Sequence, residues 1–296
     1  MRLAVTGGKG QVVTALIERA GSRGHEIVPL ARPEFDLAQI ETIAPLLAAS
    51  GAQAVISAAA YTAVDKAEAE PDLAFAVNAA GPGALAQAAA ELGLPLVHLS
   101  TDYVFDGTKA APYVETDPPH PLGVYGASKL AGEEAVLAAH PAGSAILRTS
   151  WVYSPFGANF VKTMLRLAGE REELGVVADQ IGNPTSALDI ADGVMSVAER
   201  LVADASAELR GVFHMTAAGE TSWAGFAQEI FAHSARLGGP SARVQPIATA
   251  QYPTPASRPA NSRLNCDKLA RVHGVALQDW RSAIGPVVAR LLAPTP

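Results

Sequence analysis

Cysteine is nearly absent from this chain. Cys266 stands alone among 296 residues, so no internal disulfide can form. That excludes a bridge-stapled scaffold, suits a reducing cytoplasm, and leaves Cys266 as a small apolar residue. Aromatic residues are few, at 6%. No apolar run approaches the ~20 residues of a membrane span. The apolar start Leu3-Ala4-Val5 is too short for a signal peptide. The seven His, at 25, 98, 120, 140, 214, 233 and 273, have no zinc-site spacing. Positive charge is the minority: 22 Lys and Arg against 29 Asp and Glu, for a net charge of −7. Such a balance argues against general nucleic-acid or anionic-membrane partners. There is no internal repeat.

What the chain does have is apolar content, 49% of residues, enough for one large or two modest domains. Leu3-Ala4-Val5 predicts a buried strand that runs into Gly7, Gly8 and Gly10. Val12, Val13, Leu16, Ile17 and Ala20 then share one helical face. Strands are predicted at Glu26–Ala31, Ala54–Ala58, Leu94–Leu99 and Ser144–Arg148. Helices alternate with them: about 39–50 with a kink or break at Pro45, two pieces in 72–92 around Gly81-Pro82-Gly83, and one carrying Tyr125 as far as Ala139. Strand–helix alternation with short connections predicts an α/β fold with a Rossmann-type, doubly wound parallel sheet. Ligands of such sheets bind beyond the carboxyl ends of the strands, where Gly7, Asp36, Ala58 to Tyr61 and Thr101 fall.

The second half is less regular. Helices are predicted at 159–169, 186–202, 222–237 and 277–292, short strands at 175–178 and 212–215, and an ordered loop over 246–265. The expected organisation is a dinucleotide-binding domain over 1–150 and a smaller, mainly substrate-binding C-terminal domain over 151–296. Segments near 175–180 and 211–216 are free to return to the first.

The glycines after the first strand let backbone pass close to a pyrophosphate, and the helix that follows offers unpaired N–H groups. Val13 occupies the third small position of a full glycine fingerprint, which predicts looser helix–strand packing. Strand two ends at Arg32 where an acidic residue would hold a ribose 2′-hydroxyl. Arg32 therefore either faces a 2′-phosphate, favouring NADPH over NADH, or is a solvated cation. Asp36 either meets adenine or caps the next helix. Tyr125 and Lys129 are four apart and share a helical face, so the expected effect of the Lys129 charge is to lower the phenol pKa from ~10. Thr101, at a strand end, is placed to donate to the same carbonyl oxygen. A nucleotide turn with a tuned phenol suits hydride transfer to a carbonyl.

These residues, with Ala58-Ala59-Ala60-Tyr61-Thr62-Ala63-Val64-Asp65-Lys66-Ala67-Glu68, Ser100 to Gly107, Arg148 to Tyr153, Asp179 to Thr185 and Thr254 to Leu264, resemble the extended short-chain dehydrogenase/reductase family over nearly the whole chain. The Tyr/Lys pair marks the superfamily; the 254–264 segment and the Tyr61–Glu68 stretch point to a nucleotide-sugar branch. The resemblance implies reduction of the 4-keto group of dTDP-4-dehydro-L-rhamnose by NAD(P)H. It implies Tyr125 as general acid, Lys129 on the nicotinamide ribose and Thr101 polarising the carbonyl. It places Gly7, Gly10, Gln11, Val12, Arg32, Asp36, Leu37, Ala58, Ala59 and Ala60 on the cofactor. Asp102, Tyr103, Trp151, Asn159, Arg258, Asn261 and Arg263 join Thr101 on the substrate. Some members use Mg²⁺ at a subunit contact, with one acidic ligand on the first helix; this chain has Thr14-Ala15 there, which leaves Mg²⁺ without that ligand. A monomer or a homodimer is expected. Another nucleotide-sugar reductase or epimerase, and a non-catalytic regulatory subunit of methionine adenosyltransferase, remain alternative readings.

Overall fold

The computed structural model describes residues 1–293; residues 294–296 of the expected second unit lie outside the described residues. The longer strands are β1 (Arg2–Thr6), β2 (Glu26–Leu30), β3 (Ala54–Ser57), β4 (Leu96–Thr101), β5 (Ser144–Thr149), β6 (Glu173–Val177), β7 (Gly211–His214) and β8 (Arg243–Ile247). The helices that matter here are α1 (Gln11–Ala20), α2 (Ile43–Ala49), α3 (Gly81–Glu91), α4 (Val124–Ala139), α5 (Phe160–Ala168), α6 (Ala187–Ala203), α7 (Trp223–Arg236), α8 (Asp267–His273) and α9 (Trp280–Leu292). Six strands form a parallel sheet in the order β7-β5-β4-β3-β1-β2. The order reverses between β1 and β3, and a ligand crevice opens at such a switch point.

Both faces of the sheet are covered because its strands are apolar on both sides. Leu3, Val5, Ile56, Val97 and Leu147 point to α1 and α6, where Leu16, Ile190, Val194 and Met195 meet them. The alternate residues Ala4, Val55, Leu96 and Ile146 point to the other core, with Ile43, Leu47, Leu85 and Val136 of α2, α3 and α4. Pro29 is tolerated in β2 because that strand is a sheet edge.

The chain recrosses the expected boundary at 151. α6 packs on the first core, and β7 joins the sheet beside β5. The strand expected near 175–180 does not return; as β6 it pairs in parallel with β8. A separate core is built by α5, α7 and α9 around Val161, Met164, Phe226, Ile230, Trp280 and Ile284.

The helical stretch expected over 39–50 is divided just ahead of Pro45: a 3₁₀ turn Ile40–Thr42 precedes α2, which begins at Ile43 and holds Pro45 in its first turn, where a backbone N–H is not needed. Two local expectations are corrected. The 72–92 segment is continuous, an α-helical stretch Pro71–Phe75 passing through a π-helical turn Ala76–Ala80 into α3. The loop expected over 246–265 starts inside β8, and α8 follows it without having been anticipated, being short and without a side-chain N-cap. Among the described residues no helix is long and apolar enough to cross a membrane.

Candidate active site

The crevice forms where β1 ends. Gly7 has φ +101°, a conformation that strains any side chain, and its N–H donates to Leu30 O at 2.7 Å. Thr6 Oγ1 accepts the Ala58 and Ala59 N–H groups, each at 3.0 Å, and so ties the end of β1 to that of β3. Gly10 caps α1 without a side-chain bond, and the exposed Gly8-Lys9-Gly10 turn leaves the helix N-terminus open. These features fit a dinucleotide pyrophosphate, which needs close backbone approach and free N–H donors. Gln11 is engaged from the other lobe: its Oε1 accepts from Ser154 Oγ at 2.7 Å and Asn159 Nδ2 at 3.1 Å.

Asp36 does not cap the next helix: its Oδ1 accepts Ala38 N–H at 3.0 Å, closing a turn. The Leu37 side chain is buried in the sheet core, so only its backbone can face the crevice. Arg32 is exposed just beyond the end of β2.

α4 carries Tyr125 and Lys129. Glu68 Oε1 accepts the Val124 N–H at 2.8 Å and holds the helix N-terminus. A Cβ at Gly126 would lie 2.2 Å from Tyr103 O, so glycine lets α4 sit against the 102–104 turn. That approach sets the Tyr125 and Tyr103 rings edge to face at 5.5 Å. Thr101 Oγ1 accepts Tyr103 N–H at 3.2 Å and donates to Asp102 Oδ1 at 2.9 Å. Burial raises the Asp102 carboxyl to about 6, with the Ser262 and Thr101 hydroxyls opposing.

The expected effect of Lys129 on Tyr125 is corrected. Burial pushes the Tyr125 phenol up to about 12; the Thr101 hydroxyl opposes that rise and the Asp102 charge adds to it. Lys129 is 3% exposed, and its ammonium turns under β4 to donate to Leu99 O at 2.7 Å and to His98 Nε2 at 3.3 Å. The i, i+4 spacing aligns the two Cβ atoms, but the flexible four-carbon stem carries the charge elsewhere. Burial lowers Lys129 to about 8, with Glu133 opposing.

Several expected substrate residues are held by the protein. Asn159 caps α5 and also donates to Ser154 O and Phe156 O. Asn261 Nδ2 donates to Lys109 O and Ala111 O, at 2.7 and 2.9 Å. Arg263 pairs with Glu220 at 3.0 Å and donates to Asn261 Oδ1 at 2.8 Å. Arg258 pairs with Asp65 at 2.8 Å, near enough to the Tyr103 phenol to oppose its rise in pKa. Trp151 has φ +47°, rare for a non-glycine residue, and stacks on Trp223 with centroids 3.5 Å apart.

Other residues of the site were missed. Buried Asn78, on the π-helical turn, accepts Tyr61 N–H at 2.7 Å and donates to Ser128 Oγ at 3.0 Å, stapling α4 to the start of the Tyr61–Glu68 segment. Its only signal was an amide in an Ala-rich apolar stretch. Trp223 gave none, because stacking across about seventy positions has no sequence period.

A model described as the RmlD substrate-binding domain matches residues 1–293. The dTDP-4-dehydrorhamnose reductase of Sinorhizobium fredii is 54% identical over 293 residues, 99% of this chain and 98% of that one. The chain belongs to the dTDP-4-dehydrorhamnose reductase family. A crystal structure of such a reductase from Clostridium acetobutylicum covers 99% of this chain and 100% of its own, at 37% identity and TM-score 0.91. One from Bacillus anthracis, solved in complex with NADP, covers 97% and 98%, at 36% identity and TM-score 0.89. With this membership the glycine turn and the Tyr125 helix belong to an NAD(P)H-dependent oxidoreductase.

Proposed function

We infer that this protein reduces the 4-keto group of dTDP-4-dehydro-L-rhamnose, giving dTDP-L-rhamnose. The observation that carries the reading is Tyr125 set edge to face on Tyr103, whose N–H is held by Thr101 at the carboxyl end of β4, in a chain that matches this family over 99% of its residues. When bound, the reduced cofactor supplies the hydride. Gly7, Gly10, Gln11, Val12, Asp36, the Leu37 backbone and Ala58 to Ala60 hold the dinucleotide, and Tyr125 holds the nicotinamide ribose with Lys129, whose ammonium turns from its bonds under β4 to do so. Tyr125 delivers its phenolic proton to the carbonyl oxygen as negative charge builds there. A phenol raised to about 12 is fully protonated at neutral pH, which is the donor form. Thr101 assists by turning its hydroxyl proton from Asp102 to the same oxygen. Trp151 and Tyr103 pack on the sugar, with Asp102 beside them. Arg258 meets the diphosphate, whereas Asn159, Asn261 and Arg263 shape the site through the protein bonds described above. Thr14 spends its hydroxyl on Gly10 O and carries no carboxylate, so that position does not fit Mg²⁺.

The test is consumption of reduced cofactor with enzymatically generated dTDP-4-dehydro-L-rhamnose. Substrate-dependent oxidation with dTDP-L-rhamnose as product is expected; cofactor binding without turnover overturns the reading.

Cofactor choice rests on Arg32, which takes the 2′-phosphate and makes NADPH the preferred donor. Arg32→Ser is expected to raise the KM for NADPH about tenfold, the size of one lost hydrogen bond to a charged group. The KM for NADH should stay unchanged. An unaltered NADPH/NADH ratio in steady-state kinetics removes Arg32 from the site.

A further inference from the structure

The Lys129 ammonium rests in a polar niche that the reaction does not explain. Two of its protons are accounted for, by Leu99 O at 2.7 Å and His98 Nε2 at 3.3 Å. His98 is fully buried on β4, and its Nδ1 lies 3.0 Å from Ser57 Oγ on β3. An ammonium has only donors, so His98 Nε2 must accept and Nδ1 must carry the ring proton, which it gives to Ser57. Ser57 thereby fixes the tautomer that Lys129 requires. A histidine so deeply buried in a strand would ordinarily be apolar; this one is a built acceptor.

We propose that His98 is a positioning residue for the reaction: oriented by Ser57, it accepts the Lys129 ammonium behind β4 and sets where that charge rests relative to Tyr125. The arrangement makes the imidazole an acceptor only as long as it is neutral. Burial and the Lys129 charge hold the His98 pKa well below the usual imidazole range, so it stays neutral across the working range. The other charged group facing Lys129 is Glu133, one turn further along α4, and Glu133 is itself paired to Arg148 on β5 at 2.6 Å. An acceptor on the ammonium favours the charged form, so removing it lowers the pH at which Lys129 loses its proton. The catalytic role of Lys129 rests on the function inferred above; its contact with His98 does not.

The test therefore reads Lys129 directly. The protein is labelled with lysine enriched in ¹³C at Cε, the Lys129 signal is assigned by its loss in Lys129→Arg, and its titration is followed by NMR without ligand. From a midpoint near 8, His98→Leu is expected to move the titration down by about one pH unit, the size of one hydrogen bond to a charged group. His98→Gln, which keeps an acceptor, should return it toward the parent. The alkaline limb of kcat/KM should move the same way in His98→Leu. An unchanged midpoint in folded His98→Leu overturns the proposal. Should that variant not fold, Ser57→Ala decides by the same signal: a downward shift supports the proposal and coincidence with the parent overturns it. A shifted midpoint in a protein with no activity on the keto sugar overturns the functional reading and leaves the positioning role standing.

Discussion

Tyr125→Phe is expected to lower turnover by about 10²–10⁴-fold, the usual worth of a positioned general acid, with cofactor binding nearly unchanged. The substitution removes one oxygen and leaves the ring, so the edge-to-face packing against Tyr103 survives. What is lost is the proton at the carbonyl oxygen. Thr101 remains as a hydrogen-bond donor and accounts for the residual rate, because it polarises without giving up its proton. The phenol's raised pKa makes the donor form abundant but the phenolate costly. The Lys129 ammonium, bonded to Leu99 O and His98, lends the phenolate no support in this arrangement. Single-turnover reduction of the keto sugar, with cofactor affinity measured separately, is the check. Near-parent turnover would reassign the acid.

Arg148→Ala is expected to cost about 3–5 kcal/mol of stability, the range for stripping one partner from a buried ion pair. Arg148 and Glu133 are 3% and 2% exposed. The guanidinium spans both carboxylate oxygens, at 2.9 Å and 2.6 Å, and Ser100 Oγ adds a third donor at 2.5 Å. Phe105 covers the guanidinium at 5.0 Å. Removing Arg148 leaves Glu133 charged, buried and short of donors, and it loosens α4 from β5 one turn beyond Lys129. Replacing both, as Glu133→Leu with Arg148→Met, should recover most of the loss, since two apolar groups leave no orphan charge. Thermal unfolding of the two single variants and the double variant measures this. A loss below about 1 kcal/mol in Arg148→Ala would mean that the pair is solvated or compensated.

How much was legible depended on the range of the interaction. The helix from Val124 to Ala139, the parallel strands and the glycine turn all follow from neighbours in sequence. Apolar period and turn residues act over a few positions, and a sheet buried on both faces writes itself as short apolar runs. Tyr125, Lys129 and Thr101 were legible for the same reason, each standing at a fixed offset from a strand end or a helix start. The direction of a long side chain was not. Lys129 shares a face with Tyr125, yet its charge sits with His98 and Leu99, because the bonds available under β4 decide the torsions of its stem. Arg258, Asn261 and Arg263 stood out as a polar run, but their partners Asp65, Lys109, Ala110, Ala111 and Glu220 come from elsewhere in the chain.

By itself, then, the sequence determined the sheet, the nucleotide turn at its switch point and the Tyr/Lys helix, since local periodicity and steric rules specify these. Tertiary structure alone decided that residues 187–214 return to the first core while the β6 strand does not, that Asn78 staples α4, and that His98 holds Lys129. Those outcomes depend on which buried polar groups find one another in space. Hydrogen bonds between segments thirty to two hundred residues apart leave no local pattern, and the cost of leaving a buried donor or acceptor unpaired selects them only once the chain has folded.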